Sequence, residues 1–238
     1  MVTIRGAFDT RLLGPDNMRY AIISDIHANL EAFTAVLRDI SKRGADKIWC
    51  LGDIVDYGPD PLECIELLRG QNFAAVPGNH DLAAIGVIDT SDFHPDAVIS
   101  NRWTGSHLQS SDIDFLRSLP SVAAEGDFTL VHASPRNPVW EYMTSAGIAE
   151  ENLPYFKSQV CLFGHTHKPG IFHIQEDKGC VAVGFSEEAE FVLERNRIFL
   201  NPGGVGQPRD GDPRASYALY DSETKTVRLF RIPYNIAA

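Results

Sequence analysis

Three times within its first 81 residues the chain runs from a short apolar segment straight into a loop bearing aspartate, histidine or asparagine, and twice that loop leads on into a helix-patterned stretch. Arg19 to Ser24 (RYAIIS) is rich in β-branched residues and predicts a strand. Asp25-Ile26-His27-Ala28-Asn29 follows, and then Leu30, Phe33, Leu37 and Ile40 recur at helical spacing, with Asn29 as cap and Gly44 as terminator. Lys47 to Leu51 predicts a second strand, residues 52 to 60 a loop, and Pro61 to Gly70 a helix capped by Asp60. A third strand, Phe73 to Val76, ends at Pro77-Gly78-Asn79-His80-Asp81. Repeated strand–loop–helix units make parallel sheets, and open α/β sheets place their ligands just past the carboxyl ends of the strands.

The rest of the pattern limits the architecture further. From Leu82 to Pro120 it turns helical and irregular, with Ala97, Trp103, Leu108, Phe115 and Leu116 as expected packing residues, which predicts a flank or lid over the site. Strands return at Phe128–His132, Gln159–Phe163, Gly170–Ile174, Cys180–Val183, Arg197–Leu200, Ser216–Tyr220 and Thr226–Ile232. The expected fold is α/β, a four-layer α/β/β/α sandwich of two mixed sheets packed face to face with helices outside. No repeat or linker divides the chain, so one domain is expected over residues 1–238, and residues 1–17, which precede Met18, read as an extension of little functional weight.

Composition removes several classes of function. With 44% hydrophobic and 22% charged residues the chain is an ordinary globular one. It has no run near the roughly 18 apolar residues of a membrane span. Its first 18 residues carry arginines and aspartates in place of a signal peptide's apolar core, so a soluble, cytoplasmic protein without membrane partners is expected. A net charge of −11 opposes non-specific binding to nucleic acid. Cys50, Cys64, Cys161 and Cys180 form no CxxC pair and are expected to be small buried hydrophobes.

The chemistry is concentrated in five clusters: Asp25-Ile26-His27, Gly52-Asp53, Gly78-Asn79-His80-Asp81, His132 and Gly164-His165-Thr166-His167. Alone, an Asp-x-His is weak evidence and a Gly-Asp commonly makes a turn. The His-x-His after an apolar strand is stronger, since it sets two imidazoles on one face, with Gly164 removing a side chain from a crowded position. Together the clusters supply seven oxygen and nitrogen donors and no thiolate, a set suited to borderline or hard dications.

In order and content the clusters resemble the calcineurin-like metallophosphoesterase superfamily, and Asn201-Pro202-Gly203-Gly204-Val205-Gly206-Gln207-Pro208-Arg209 resembles a segment of its small prokaryotic members. The resemblance implies two divalent metal ions (Mn, Fe, Zn, Co or Ni). Asp25, His27 and His167 would bind one, Asn79, His132 and His165 the other, and Asp53 both. Two dications exceed Asp25, Asp53 and a bridging hydroxide by one positive charge, which suits a phosphate ester. The expected reaction is in-line attack at phosphorus by a metal-activated hydroxide. The resemblance further implies that His80 protonates the leaving oxygen, with Asp81 holding its ring. Arg209 and Arg214 could fork onto a substrate phosphate, or pair instead with Asp210 or Asp212. His94, His107 and His173 are read first as surface or packing residues, although His94 and His107 could line the site from the flank. Trp103, Trp140 or Tyr142 could stack a base, although each is read first as core. Ala28, Ala133 and Gly204 depart from the usual family residues without removing a donor.

The expected partner is therefore a small phosphate ester, a diester or nucleotide-like molecule foremost and a monoester or phosphoprotein second. A non-catalytic scaffold of the same fold is the competing reading from another class, and a DNA nuclease is disfavoured by charge.

Overall fold

The computed structural model describes residues 17–187, 189–193 and 196–237. The expected extension at residues 1–17 lies, apart from Asn17, outside the described residues. Twelve strands among those described form two six-stranded mixed sheets. In the first, β1 (Arg19–Ile23) runs parallel to β2 (Lys47–Cys50), which runs parallel to β3 (Phe73–Ala75). Antiparallel β11 (Ala215–Asp221), β12 (Thr226–Ile232) and β9 (Glu190–Val192) continue it on the other side of β1. The second sheet has the order β4 (Val122–Glu125), β5 (Phe128–Val131), β6 (Val160–Leu162), β10 (Ile198–Asn201), β7 (Gly170–Gln175) and β8 (Gly179–Val183), with β5, β6 and β10 parallel.

The two-residue period of a strand sorts the core into layers. Tyr20 and Ile22 of β1 and Trp49 of β2 face Phe128, Leu130, Val160, Leu162 and Leu200 of the second sheet. Their neighbours Ala21 and Ile23 face the helices α1 (Leu30–Arg43) and α2 (Pro61–Arg69). On the far side, Val131, Cys161, Phe163 and Phe199 pack beneath α6 (Ala146–Asn152). Helix, sheet, sheet and helix thus stack in four layers, with β1, β2, β5, β6 and β10 burying both faces, which is why these segments read as unbroken apolar runs. Tyr20 stacks on Trp49 with centroids 4.2 Å apart at the centre of the inter-sheet layer.

The helix ends follow local chemistry. Asn29 Oδ1 accepts from Ala32 N at 3.0 Å, and Gly44 closes α1 at φ 66°. Asp60 occupies the cap position of α2 without a side-chain bond to its amides. The flank resolves into α3 (Asn79–Ala84), α4 (Pro95–His107) and α5 (Ser110–Ser118). Ala97, Leu108 and Leu116 are buried there as expected, whereas Trp103, read as a packing residue, is 43% exposed. Cys50, Cys64 and Cys161 are buried and Cys180 is half-buried, and all four are free thiols. No helix among the described residues is long and apolar enough to cross a membrane.

Candidate metal centre

Each donor sits just past the carboxyl end of a parallel strand: Asp25 and His27 after β1, Asp53 after β2, Asn79 after β3, His132 after β5, and His165 and His167 after β6. Because the two sheets face each other, the ends of β1, β2 and β3 meet those of β5 and β6 at one rim. The ligand atoms of Asp25, His27, Asp53 and His167 all lie within 4.8 Å of one another, and so do those of Asp53, His132 and His165. Asn79 Oδ1 joins the second group, 3.2 Å from His132 Nε2. All seven side chains are buried.

The backbone at these positions is not the extended one that would carry Asp25 and His27 on one side of a strand end. Asp25, His27, Asp53, His165 and His167 have φ between 49° and 61°, in the left-handed region. Non-glycine residues visit it rarely, Asp and His more readily than most. The turns reverse the chain abruptly and leave room only for glycine between them. A Cβ on Gly78 would lie 1.9 Å from Asp53 Oδ1, and one on Gly164 would lie 1.8 Å from Ser24 Oγ. The Asn201–Arg209 loop holds the assembly closed. Val205 N and Gly206 N donate to Ser24 O and Asp25 O at 2.9 Å each, and Asn201 Nδ2 donates to Gly164 O at 2.7 Å.

The geometry fits a cation. His132 Nδ1 lies 2.7 Å from Leu51 O, and His167 Nδ1 lies 2.5 Å from Gln207 O. A carbonyl only accepts, so each ring carries a proton on Nδ1 and turns Nε2 inward, where it offers a lone pair once any proton there is lost. His167 Nε2 stands 3.1 Å from His27 Nε2, and His132 Nε2 stands 3.1 Å from His165 Nδ1. Asp53 Oδ1 is fixed by the His80 amide at 3.0 Å, which leaves Oδ2 between the groups, 3.5 Å from His27 Nε2 and 3.3 Å from His132 Nε2. Asp25 Oδ2 is buried with no hydrogen-bond partner. Converging lone pairs and carboxylate oxygens are favourable around a divalent ion and repulsive around nothing.

Protonation follows the same arrangement. Burial drives the imidazoles of His27 and His167 below their usual range, and burial together with His132 takes His165 down to about 3. For His132, burial is outweighed by the Asp53 carboxylate, which holds it up at about 9. Burial would raise Asp53, yet the surrounding imidazoles, His132 first, hold it well below the carboxylate range.

The carboxylate on the His80 ring is Asp56, not Asp81. His80 Nδ1 lies 2.6 Å from Asp56 Oδ2, and Asp56, Asn101 and His80 are all buried. Ser100 Oγ donates to Asp56 Oδ1 at 2.5 Å, while Asn101 Nδ2 donates to Asp56 Oδ2 at 2.9 Å and to His80 O at 3.0 Å. Burial opposes the charged ring, but Asp53 and Asp56 together raise the His80 pKa. Asp81, in the first turn of α3, turns away. Its Oδ1 accepts from Ile54 N and Val55 N at 2.8 and 3.0 Å, and its Oδ2 accepts from Gly78 N at 2.9 Å. It ties two loops together and does not touch the ring. Asp56 was open to discovery in the sequence, as the second acid of Asp53-Ile54-Val55-Asp56, yet sequence reading gave the role to the residue adjoining His80.

Arg209 and Arg214 part company. Arg214 pairs with Asp212 at 2.7 Å and with Glu187 at 3.2 Å, so it is committed to carboxylates. Arg209 donates to Gln207 Oε1 at 2.6 Å, while Asp210 is taken by Arg231. Burial raises the hydroxyls of Tyr57 and Tyr142, and the Arg209 guanidinium beside each opposes that rise. A cavity of about 450 Å³ opens over the centre, lined by Asn79, His80, Arg209, Phe93, Trp140 and Tyr142 among others. Tyr142 stacks on the His165 ring at 3.9 Å between centroids. His94 lines this cavity, whereas His107 lies on the exposed side of α4 against Trp103.

This assembly has relatives. An uncharacterised protein of Methanocaldococcus jannaschii, MJ0912, is 37% identical over 91% of this chain and 88% of its own length. The crystal structure of a metallophosphoesterase from Sphaerobacter thermophilus superposes with a TM-score of 0.82 at 44% identity, covering 93% of this chain and 90% of that one. A protein of Neisseria meningitidis named symmetrical bis(5'-nucleosyl)-tetraphosphatase is 32% identical over 57% of this chain, which spans about half (51%) of that relative's length. A family model described as the calcineurin-like phosphoesterase superfamily domain matches residues 18–225, which take in every donor of the centre. With loops, donors and sheets all inside that span, the chain belongs to the calcineurin-like phosphoesterase superfamily.

Proposed function

We propose that the protein is a hydrolase of nucleotide-like phosphate esters that works with two divalent cations. Asp25, His27, His167 and Asp53 would hold one, and Asp53, Asn79, His132 and His165 the other. The observation that carries this reading is the position of Asp53 Oδ2, shared by two converging sets of buried donors. When bound, such a pair lowers the pKa of a shared water and neutralises charge on the phosphate oxygens. The remaining work falls to side chains. Arg209, committed to no carboxylate among the described residues, orients the phosphate from the rim. With its Nδ1 held by Asp56, His80 keeps Nε2 as the nitrogen that delivers a proton to the leaving oxygen. A nucleotide-like substrate is supported by the aromatic walls of the cavity and by the name of the Neisseria relative.

The test is to strip the protein with a chelator, reload it with Mn, Fe, Ni, Zn or Co in turn, and measure bound metal alongside hydrolysis of bis-nitrophenyl phosphate, nitrophenyl phosphate and dinucleotides. Two ions per chain and hydrolysis of a diester are expected. Tight partner binding with no turnover of any ester would establish a scaffold instead. His80→Ala should slow alkyl esters by about 10²–10⁴-fold and nitrophenyl esters much less, because a good leaving group needs no proton. Equal losses would sink the acid role.

A further inference from the structure

Beyond the catalytic cavity lies a second concavity that nothing so far explains. It measures about 420 Å³, and its lining includes Tyr57, Pro59, Asp96, Ile99, Ser100 and Trp103. Tyr57 belongs to both cavities, and α4 forms the ridge between them, presenting Ala97 to one and Ile99 and Trp103 to the other. Ser100, which lines the groove, also bonds Asp56, so the groove lies against the element that holds the proton donor.

Ile99 is 68% exposed and Trp103 43% exposed, one helical turn apart. Single exposed apolar residues are ordinary, but two on one concave wall beside a tyrosine mark a binding surface. Trp103 is already held. His107 covers one face at 4.1 Å between centroids, and His107 Nδ1 lies 2.7 Å from Trp103 O, so ordering the indole costs little on binding. The lining contains no cation, and its single charge is the Asp96 carboxylate. Such a surface rejects phosphate and accepts a neutral planar ring, with Asp96 able to accept from an amino group on its edge.

We propose that this groove is a subsite for a nucleobase, so that the substrate has two aromatic ends, one in the catalytic cavity and one against Ile99 and Trp103, with its phosphates between them at Arg209 and His80. This deepens the phosphoesterase reading and rests on it. Base stacking on an aromatic side chain is worth enough that removing the ring weakens binding about tenfold or more.

The experiment is calorimetric binding of two non-hydrolysable ligands to the metal-loaded protein: a methylene-bridged dinucleoside tetraphosphate and a methylene-bridged nucleoside diphosphate. Trp103→Ala should raise Kd for the two-ended ligand about tenfold while changing the one-ended ligand far less, and Ile99→Asp should act in the same direction. Both side chains are exposed enough for either variant to fold. Hydrolysis of bis-nitrophenyl phosphate is followed in parallel. If that activity is present and Trp103→Ala binds both ligands as the wild type does, or loses both equally, the subsite is overturned while the phosphoesterase reading stands. If the activity is absent, the phosphoesterase reading fails, and the binding arm still decides the groove. If Ile99→Asp abolishes a dimer seen by sedimentation and leaves both Kd values unchanged, the groove is a contact between copies of the chain and the proposal is wrong.

Discussion

Ala28 holds φ at 51° with its methyl fully buried. Left-handed backbone costs an L-residue about 1–2 kcal/mol. Glycine would remove that strain but lose about 0.5–1 kcal/mol to unfolded-state entropy and about 0.8 kcal/mol of methyl burial. The contributions nearly cancel, so Ala28→Gly should lie within about 1 kcal/mol of neutral by urea denaturation, whereas Ala28→Val, β-branched and overpacked, should cost about 3 kcal/mol. Equal effects would refute the strain argument. The two acids near His80 separate in the same way. Asp81→Asn deprives three backbone amides of a carboxylate and should cost about 1–3 kcal/mol of stability. Asp56→Asn should mainly slow esters with poor leaving groups. The donors were legible because each motif names its residues in a strand-end loop. The Asp56 pairing was not, because neighbours in the chain need not be neighbours in space: Asp81 is drawn to the Gly78 amide at its own helix start and to the Ile54 and Val55 amides of the facing loop.

The flank and the loop after β5 act as supports. Asn101 of α4 reaches both Asp56 and the His80 carbonyl, so Asn101→Leu leaves a buried carboxylate short of a donor and should cost about 1–3 kcal/mol. Its effect on rate should be larger for alkyl than for nitrophenyl esters. Glu141 sets the loop bearing Trp140 and Tyr142, accepting from Ser134 Oγ at 2.6 Å, from Asn152 Nδ2 at 2.8 Å and from Arg136. Burial would raise its carboxyl, but Arg136, Ser134 and Asn152 together hold it at about 2. A depressed carboxyl adds stability above its ordinary value near 4.5 and loses it as pH falls toward 2. Glu141→Gln should therefore flatten the acid limb of the stability curve between those values, and an unchanged limb would exclude this role. Strands β1, β2, β3, β5, β6 and β10 were legible as apolar runs because both faces are buried. β4 and β9 were not, since edge strands such as Val122-Ala123-Ala124-Glu125 bury little and carry no period. The short α6 likewise shows too few apolar positions to reveal its face.

At the scale of the molecule, the centre exists only when the two sheets are together, so cation binding and folding are linked. At a free ion concentration one hundred times Kd the gain is about 2.7 kcal/mol, and at about 2–4 °C per kcal/mol for a chain of this length chelation should lower Tm by about 5–10 °C. Asp53→Asn, which removes the shared donor, should abolish most of that difference. Because the Asp53 carboxylate outweighs burial and holds His132 at about 9, a chelator-stripped centre is expected to hold a proton at pH 7.5 that a cation must expel. Loading should release about one proton, seen by calorimetry in buffers of different ionisation heat, and affinity should fall as the solution is acidified. Release of none would contradict the protonation scheme. The order in which the ribosome delivers these parts follows from the closing loop. Ser24 and Asp25 emerge early, but the amides of Val205 and Gly206 and the Gln207 carbonyl that aims His167 emerge near the end of synthesis. A nascent chain stalled before residue 201 has all seven donors yet lacks the contacts to Ser24, Asp25 and His167 that close the centre. Any cation this centre takes is therefore expected to be held in full only once residues 201–207 have been made.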